Sequence, residues 1–331
     1  LSLLESGFPQ WRFDAHWQSA EKRGLFEPVL KEPTDVERLL LDMLERPNIC
    51  SKEWVFRQYD HEVQGGSVIK PLVGKERDVG SDASVTRPVL TSERGLAMAQ
   101  ALLPSYSSID AYHMTACTID EAVRRLLSVG ARLEHIGGVD NFCWPNIQYD
   151  PVLNPDGRFK AAQLVRACSA LKDMCLGYGI PLLSGKDSMY VDGHLPGRYG
   201  EVHKVSASET MQFTTIGVID DVSKCVTMES KVPGDLVYVL GVTRDELGAS
   251  EYYAHLGYIG LNVPEVDVEE LKKVYQALEQ AVDKELTASI HGIYRGGTGI
   301  HLALIAMAGN LGLQADLALL PCKGINRNDT C

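Results

Sequence analysis

One stretch of the chain, residues 137–190, constrains the fold more than any other. Its middle part is a helical pattern, in which apolar residues recur at intervals of three and four between Leu164 and Tyr178. Gly179 and Pro181 follow, as is typical of a helix end. Residues 180–183 then form a short apolar run of the kind found in buried strands. The stretch therefore predicts a strand, a helix and a second strand in succession.

Both predicted strands end in polar loops. Asp140 and Asn141 close the first strand, and residues 185–188, Gly-Lys-Asp-Ser, close the second. If the strands are parallel neighbours, these ends lie side by side, and ligands of α/β sheets bind at such carboxyl ends. Backbone donors suit phosphate and a carboxylate suits Mg²⁺. A strand-end cap and a plain polar turn remain alternative interpretations of the two loops.

Composition bounds the function classes. The 331 residues are enough for about two domains, and the net charge is −12, from 32 Lys and Arg against 44 Asp and Glu. This balance argues against a broad nucleic-acid surface, which needs clustered basic residues. No apolar run has the length of a membrane span, and no signal peptide is evident, so we expect neither nucleic acid nor membrane as a partner.

The eight cysteines include no C-x-x-C pair, and most lie in apolar helix or strand patterns. A small buried thiol is the expected state of such residues. The pattern argues against a zinc site and against a disulfide framework. We therefore expect a reducing compartment, the cytoplasm.

The chain divides into three parts of the α/β (α+β) class. Residues 1–49 are interpreted as a linker and a helix, and residues 50–205 as the first domain, which carries the nucleotide loops. After a connection at 194–212, the second domain is expected over 213–331, beginning with a strand at 213–219. Further strands are predicted at 235–240, 288–293 and 313–319. No closing element follows, so we expect this domain to be incomplete and the chain to be a piece of a longer polypeptide.

Two weaker motifs lie in the second domain. Residues 295–299 place three glycines before a helix, which suits either an anion at the helix N-terminus or a tight turn. Ser250 and Glu251 are either a helix cap with its partner or a ligand contact. His291 and His301 are interpreted as structural, as are His61 and His113.

Five segments in order resemble the phosphoribosylformylglycinamidine synthase family. They are Gly-Gly-Val-Asp-Asn-Phe at 137–142, Ser-Gly-Lys-Asp-Ser-Met at 184–189, and the segments at 48–64, 246–252 and 289–297. The resemblance is to the second half of the synthetase region. It implies a two-domain unit like aminoimidazole ribonucleotide synthetase, in an ATP-dependent carbon–nitrogen ligase of purine biosynthesis. ATP phosphorylates the amide oxygen of formylglycinamide ribonucleotide, and ammonia from a glutaminase displaces the phosphate.

Roles for individual residues are implied by motif position. Asp140, Gly185 and Lys186 are the expected ATP-binding residues, and Ser188 the substrate-binding residue. The family position at Lys186 often carries a metal-binding Asn, and an ammonium group cannot coordinate Mg²⁺. Either Asp187 takes the metal or Lys186 contacts phosphate directly. We predict Asp187 as the metal ligand.

Other departures bear on activity. Gly292 and Arg295 replace acids of the family's second-domain loop, which puts a metal role there in doubt. The family's catalytic His and acid-rich metal loop belong to the first half, so no catalytic residue is assigned here and the chain alone is expected to be inactive. Its partners are expected to be that first half, seated on an exposed sheet face, and the glutaminase, or a second copy of the isolated chain. The alternative is a non-catalytic scaffold with a structural nucleotide site.

Overall fold

The computed structural model describes Gly7 and residues 11–324. Its helices, labelled in chain order, are α1 (Val36–Glu45), α2 (Glu53–Phe56), α3 (Ala111–Leu127), α4 (Gly157–Tyr178), α5 (Glu251–Leu256), α6 (Val268–Asp283) and α7 (Gly297–Gly309). Its strands are β1 (Ser67–Ile69), β2 (Leu72–Val73), β3 (Val79–Gly80), β4 (Ser84–Thr86), β5 (Gly95–Leu102), β6 (Ile136–Cys143), β7 (Leu182–Ser188), β8 (Asp192–Pro196), β9 (Val202–Ser206) and β10 (Thr210–Ile219). None of the helices within this range is long and apolar enough to cross a membrane.

Six strands form one sheet in the order β1–β4–β5–β10–β6–β7. Only its last pair, β6 and β7, is parallel among the strands described, and the other neighbours are antiparallel. Helix α4 connects the parallel pair, which is the predicted strand–helix–strand unit. The predicted α/β (α+β) class is confirmed.

One face of this sheet is buried and the other is open. Residues of β5 alternate between buried and exposed from Gly95 to Leu102, because successive side chains of a strand point to opposite faces. Helices α3 and α4 pack on the buried face, where Met114 and Phe213 are fully enclosed. On the other face, Leu96, Met98 and Leu102 remain 40%, 46% and 43% exposed.

The strand predicted to open the second domain belongs to the first one. β10 lies in the centre of the six-stranded sheet, paired with β5 along one edge and with β6 along the other. Its residues alternate between partly and fully buried, as a central strand on a half-covered sheet requires. The expected connection at 194–212 is mostly structured too, because β8 and β9 form a hairpin. The predicted domain boundary at 213 is therefore wrong, because β10 is a central strand of the first domain's sheet and pairs with a strand on each side.

The remaining chain contains helices α5, α6 and α7 without a sheet of its own among the described residues. The segments 235–240, 288–293 and 313–319, predicted as strands, have no ladder partner there. Leu236 and Tyr238 are each 77% exposed. Residues 325–331 of the predicted second domain lie outside the described residues.

The N-terminal segment packs on α4. The ring of Trp17 stacks on Phe159, with 5.6 Å between centroids, and the guanidinium of Arg23 lies 4.6 Å from the centroid of the same Phe159 ring. Asp35 caps α1, since its side chain accepts a hydrogen bond from Arg38 N at 2.9 Å. The contacts of Trp17 and Arg23 attach the predicted linker to α4, whereas the cap stabilises α1 itself.

Candidate functional site

The two motif-bearing stretches are adjacent. In the parallel pair β6–β7, Asp140 lies opposite Gly185, Asn141 opposite Lys186, and Cys143 opposite Ser188. They were expected in loops beyond the strands, but they lie within the strands themselves. β6 continues to Cys143 because β10 pairs with it along residues 210–217, and β7 continues with it to Ser188.

Strand alternation sorts the site residues onto two faces of the sheet. A Cβ atom on Gly185 would lie 2.9 Å from Asp140 Oδ1, so the Asp140 carboxylate lies directly against Gly185. Asp187, two residues further along, points to this same face, which α4 covers in part. Lys186 and Ser188 point to the open face, where the ammonium group of Lys186 donates a hydrogen bond to Ser188 Oγ.

The two carboxylates make an electronegative corner beside α4. Partial burial raises the pKa of Asp140, and the charge of Asp187 adds to the rise. Burial also raises the pKa of the Cys168 thiol on α4, and the charges of Asp187 and Asp140 raise it further. Within the described range, neither aspartate forms an ion pair. Cys168 was not singled out from the sequence, where it reads as one more cysteine of a helix.

This corner fits a divalent cation that keeps part of its coordination shell for other ligands. Mg²⁺ in nucleotide sites is held by one or two carboxylates, with phosphate oxygens and water filling the other positions. Asp140 and Asp187 supply two carboxylates. The described residues contain no group of three or more His, Cys, Asp or Glu side chains placed to hold a metal.

The weaker motifs have structural roles. Ser250 caps α5, since its hydroxyl accepts a hydrogen bond from Tyr253 N at 3.1 Å. Glu251 is buried and accepts hydrogen bonds from Arg46 Nε and Asn48 Nδ2, each at 2.7 Å. Between the two interpretations left open for this pair, the contacts favour the cap.

The glycine-rich segment leads directly into α7. Gly296 has φ = 103°, a left-handed conformation that glycine adopts without strain. Arg295 donates from Nη2 to the carbonyl oxygen of Leu102 at 2.6 Å, so its guanidinium is engaged with β5. His291 and His301 lie in a buried polar chain with Asp82, a turn residue that sequence reasoning missed.

Comparison with known proteins gives the following relatives. Residues 80–197 match the family described as AIR synthase related protein, N-terminal domain. The phosphoribosylformylglycinamidine synthase subunit PurL of Thermococcus sibiricus is 33% identical over 308 residues, covering 93% of this chain and 39% of that protein. The PurL subunit of Methanocaldococcus jannaschii is 33% identical over 292 residues, covering 87% and 37%.

Among solved structures, Thermotoga maritima PurL complexed with ADP matches with a TM-score of 0.49 and 20% identity, covering 86% of this chain and 38% of that one. The chain spans less than two fifths of the length of the two curated relatives named above. The family predicted from the sequence is thereby confirmed: this chain is a relative of one part of the PurL subunit of phosphoribosylformylglycinamidine synthase, with an AIR synthase related N-terminal domain.

Proposed function

We propose that this chain forms part of an ATP-dependent carbon–nitrogen ligase that converts formylglycinamide ribonucleotide to formylglycinamidine ribonucleotide in purine biosynthesis. The similarity to PurL subunits over 93% of the chain supports this assignment. The observation that carries it is the placement of the two family motifs on adjacent parallel strands, with Asp140 against Gly185.

We propose ATP, Mg²⁺ and substrate roles for the residues of this strand pair. Asp187, with Asp140 beside it, holds the cation, which neutralises charge on the ATP phosphates. Lys186 and Ser188 lie on the opposite face, at the end of β7. The proposed roles, by motif position, are a cationic contact to phosphate for Lys186 and a contact to substrate for Ser188. The separation of Lys186 from the carboxylates supports Asp187 over Lys186 as the residue at the metal.

The open face of the sheet supports the proposed partner. Leu96, Met98 and Leu102 expose an apolar surface on a sheet whose other face packs against α3 and α4. Exposed apolar surface of this kind marks protein–protein contact sites. We propose that the first half of the synthetase region covers it in the longer enzyme, which takes ammonia from a glutaminase, and that a second copy covers it in the isolated chain. The seven cysteines within the described range are free thiols, which supports the cytoplasm as the compartment.

A non-catalytic scaffold role remains the second candidate. The described residues lack a cluster of three metal-binding side chains, and Gly292 and Arg295 stand where the family motif has acids. In this case the strand pair holds a nucleotide that is not consumed.

Turnover of the full-length enzyme separates the two functions. Asp187→Asn removes one carboxylate and keeps the side-chain shape, so we expect the Mg²⁺ concentration for half-maximal rate to rise about tenfold or more. Ser188→Ala should raise KM for the ribonucleotide. Asp220→Asn is the matched control, because its side chain is 57% exposed and lies seven residues from Phe213, the β10 residue opposite Asp140. If both site variants turn over like this control, the catalytic assignment fails and the scaffold remains.

A further inference from the structure

A chain of buried polar groups joins the turn before β4 to the loop that leads into α7. His291 Nδ1 lies 2.9 Å from Asp82 Oδ2, and His291 Nε2 lies 2.8 Å from His301 Nδ1. The chain ends at the carbonyl oxygen of Arg295, 3.2 Å from His301 Nε2. Asp82 and His301 are only 5% and 7% exposed, so these groups have little access to water.

Asp82 also accepts hydrogen bonds from other groups of this loop. The hydroxyl of Tyr294 donates to Asp82 Oδ1 at 2.6 Å, and the backbone N–H of Gly292 donates to the same oxygen at 3.2 Å. The Tyr294 ring lies under the guanidinium of Arg125, 3.9 Å from the ring centroid. The carboxylate of Asp82 therefore accepts hydrogen bonds from several groups of one loop in the C-terminal part of the chain.

Counting donors and acceptors assigns the protons along this chain. The Arg295 carbonyl oxygen can only accept, so His301 Nε2 carries a proton and donates it. Burial, with the charge of His291 adding to it, lowers the pKa of His301 to about 3, so its ring is neutral and Nδ1 is an acceptor. The proton between the two rings therefore comes from His291 Nε2. Since the Asp82 carboxylate also accepts, His291 Nδ1 donates as well, and His291 carries both ring protons.

The surrounding charges agree with this assignment. Helix α3 contributes Asp120 and Glu121 to the buried cluster, each paired with an arginine one turn later, Arg124 at 3.4 Å and Arg125 at 2.8 Å. With Asp82, these carboxylates outnumber the two paired guanidinium groups by one, which favours a positive charge on His291 beside Asp82. The other titratable groups facing it include the phenols Tyr294, Tyr275 of α6 and Tyr178 of α4, which donates to Asp120 at 2.7 Å. They stay neutral because burial raises the pKa of each phenol. Although burial opposes ionisation of Asp82, the charge of His291 and its hydrogen bonds hold the pKa of this carboxyl below its usual value.

We propose that Asp82, His291 and His301 form a charged latch that fastens the loop at 291–299 and helix α7 to the six-stranded sheet. This series of hydrogen bonds ends on the backbone carbonyl of Arg295 and reaches no nucleophile among the described residues. It therefore holds a proton in place and does not deliver one. Asp82 also supplies a carboxylate to a loop that has Gly292 and Arg295 where the family motif has acids. The latch makes no use of nucleotide and is independent of the proposed reaction.

The proton on His291 can be observed directly. In the purified chain at neutral pH, ¹⁵N signals of the histidine rings should show both nitrogens of His291 protonated and His301 as the Nε2–H tautomer. Asp82→Asn keeps an acceptor oxygen but removes the charge, so His291 should become neutral. Backbone amides of residues 291–299 should then exchange with deuterium about tenfold faster, as expected for one lost charged hydrogen bond.

Two controls separate charge from simple packing. Tyr294→Phe removes a donor to Asp82 but no charge, so His291 should keep both protons. Asp78→Asn, at an exposed turn residue near Asp82, should leave exchange unchanged. A neutral His291 in the unmodified chain at neutral pH overturns the proposal, and this result is available even if Asp82→Asn does not fold. Unchanged exchange at 291–299 in a folded Asp82→Asn protein also overturns it.

Discussion

At the scale of residues, the candidate site has two carboxylates on one face of a strand pair. Asp140 and Asp187 come together because one strand places Asp140 opposite Gly185, and the other returns to that face two residues later. Sequence reasoning predicted their proximity from parallel pairing. It could not assign faces, since polar residues at the end of a strand pattern look the same whether they continue the strand or begin a loop.

The thiol of Cys168 reports on this pair of charges. Because Asp187 helps to raise the pKa of Cys168, Asp187→Asn should lower that pKa and shift the pH dependence of Cys168 alkylation to lower pH. The measurement is the rate of iodoacetamide labelling at each pH, followed by mass spectrometry. Cys225, whose pKa is raised by burial and then by Asp221, serves as an internal control and should not shift. Identical profiles for Cys168 in both proteins would contradict the arrangement.

At the scale of elements, the clearest difference between expectation and structure is β10. Its alternation identifies it as a strand from sequence alone, and the structure extends it from Thr210 to Ile219. The sheet it joins is decided by pairing with β5, more than one hundred residues earlier, and a local pattern does not carry this information. Gly, Pro and Lys at 194–212 suggested a connection, whereas they belong largely to the hairpin β8–β9.

A close contact between two elements gives a stability prediction. Gly74, in the turn after β2, has φ = 91°, and a Cβ atom there would lie 2.6 Å from the carbonyl oxygen of Ala308 in α7. Gly74→Ala should therefore lower the free energy of unfolding by about 1–3 kcal/mol, measured by urea denaturation. Gly80→Ala in β3 is the control, because an added Cβ meets no atom within 4 Å. Equal losses in the two variants would refute the contact.

At the scale of the whole molecule, the motifs identified the family, whereas the strands predicted for the C-terminal part are not found among the described residues. Apolar runs at 235–240, 288–293 and 313–319 have strand-like patterns, yet none forms a ladder within the described residues. Strand propensity reflects packing against neighbours more than an intrinsic backbone preference. A sequence pattern therefore marks a segment that can pair, but it does not say whether its partner is present.

The open sheet face predicts self-association of the isolated chain. Met98→Glu places a charge in the centre of this face, and desolvating it opposes contact, so the dissociation constant of a dimer should rise at least about tenfold. Sedimentation equilibrium measures this change. Met307→Glu, at a 57% exposed position on α7, is the matched control and should behave like the unmodified chain. A monomeric unmodified chain at high concentration, or equal weakening by both changes, would count against this face as the contact.

The most direct measurement of the central claim is calorimetric titration of ATP and Mg²⁺ into the full-length protein, with and without Asp140→Asn and Asp187→Asn together. If β6 and β7 hold the phosphates through a cation, the double variant should bind Mg²⁺–ATP at least about tenfold more weakly. Asp220→Asn should bind like the unmodified protein. Equal affinity in the unmodified protein and the double variant would contradict the claim that this strand pair is the nucleotide site.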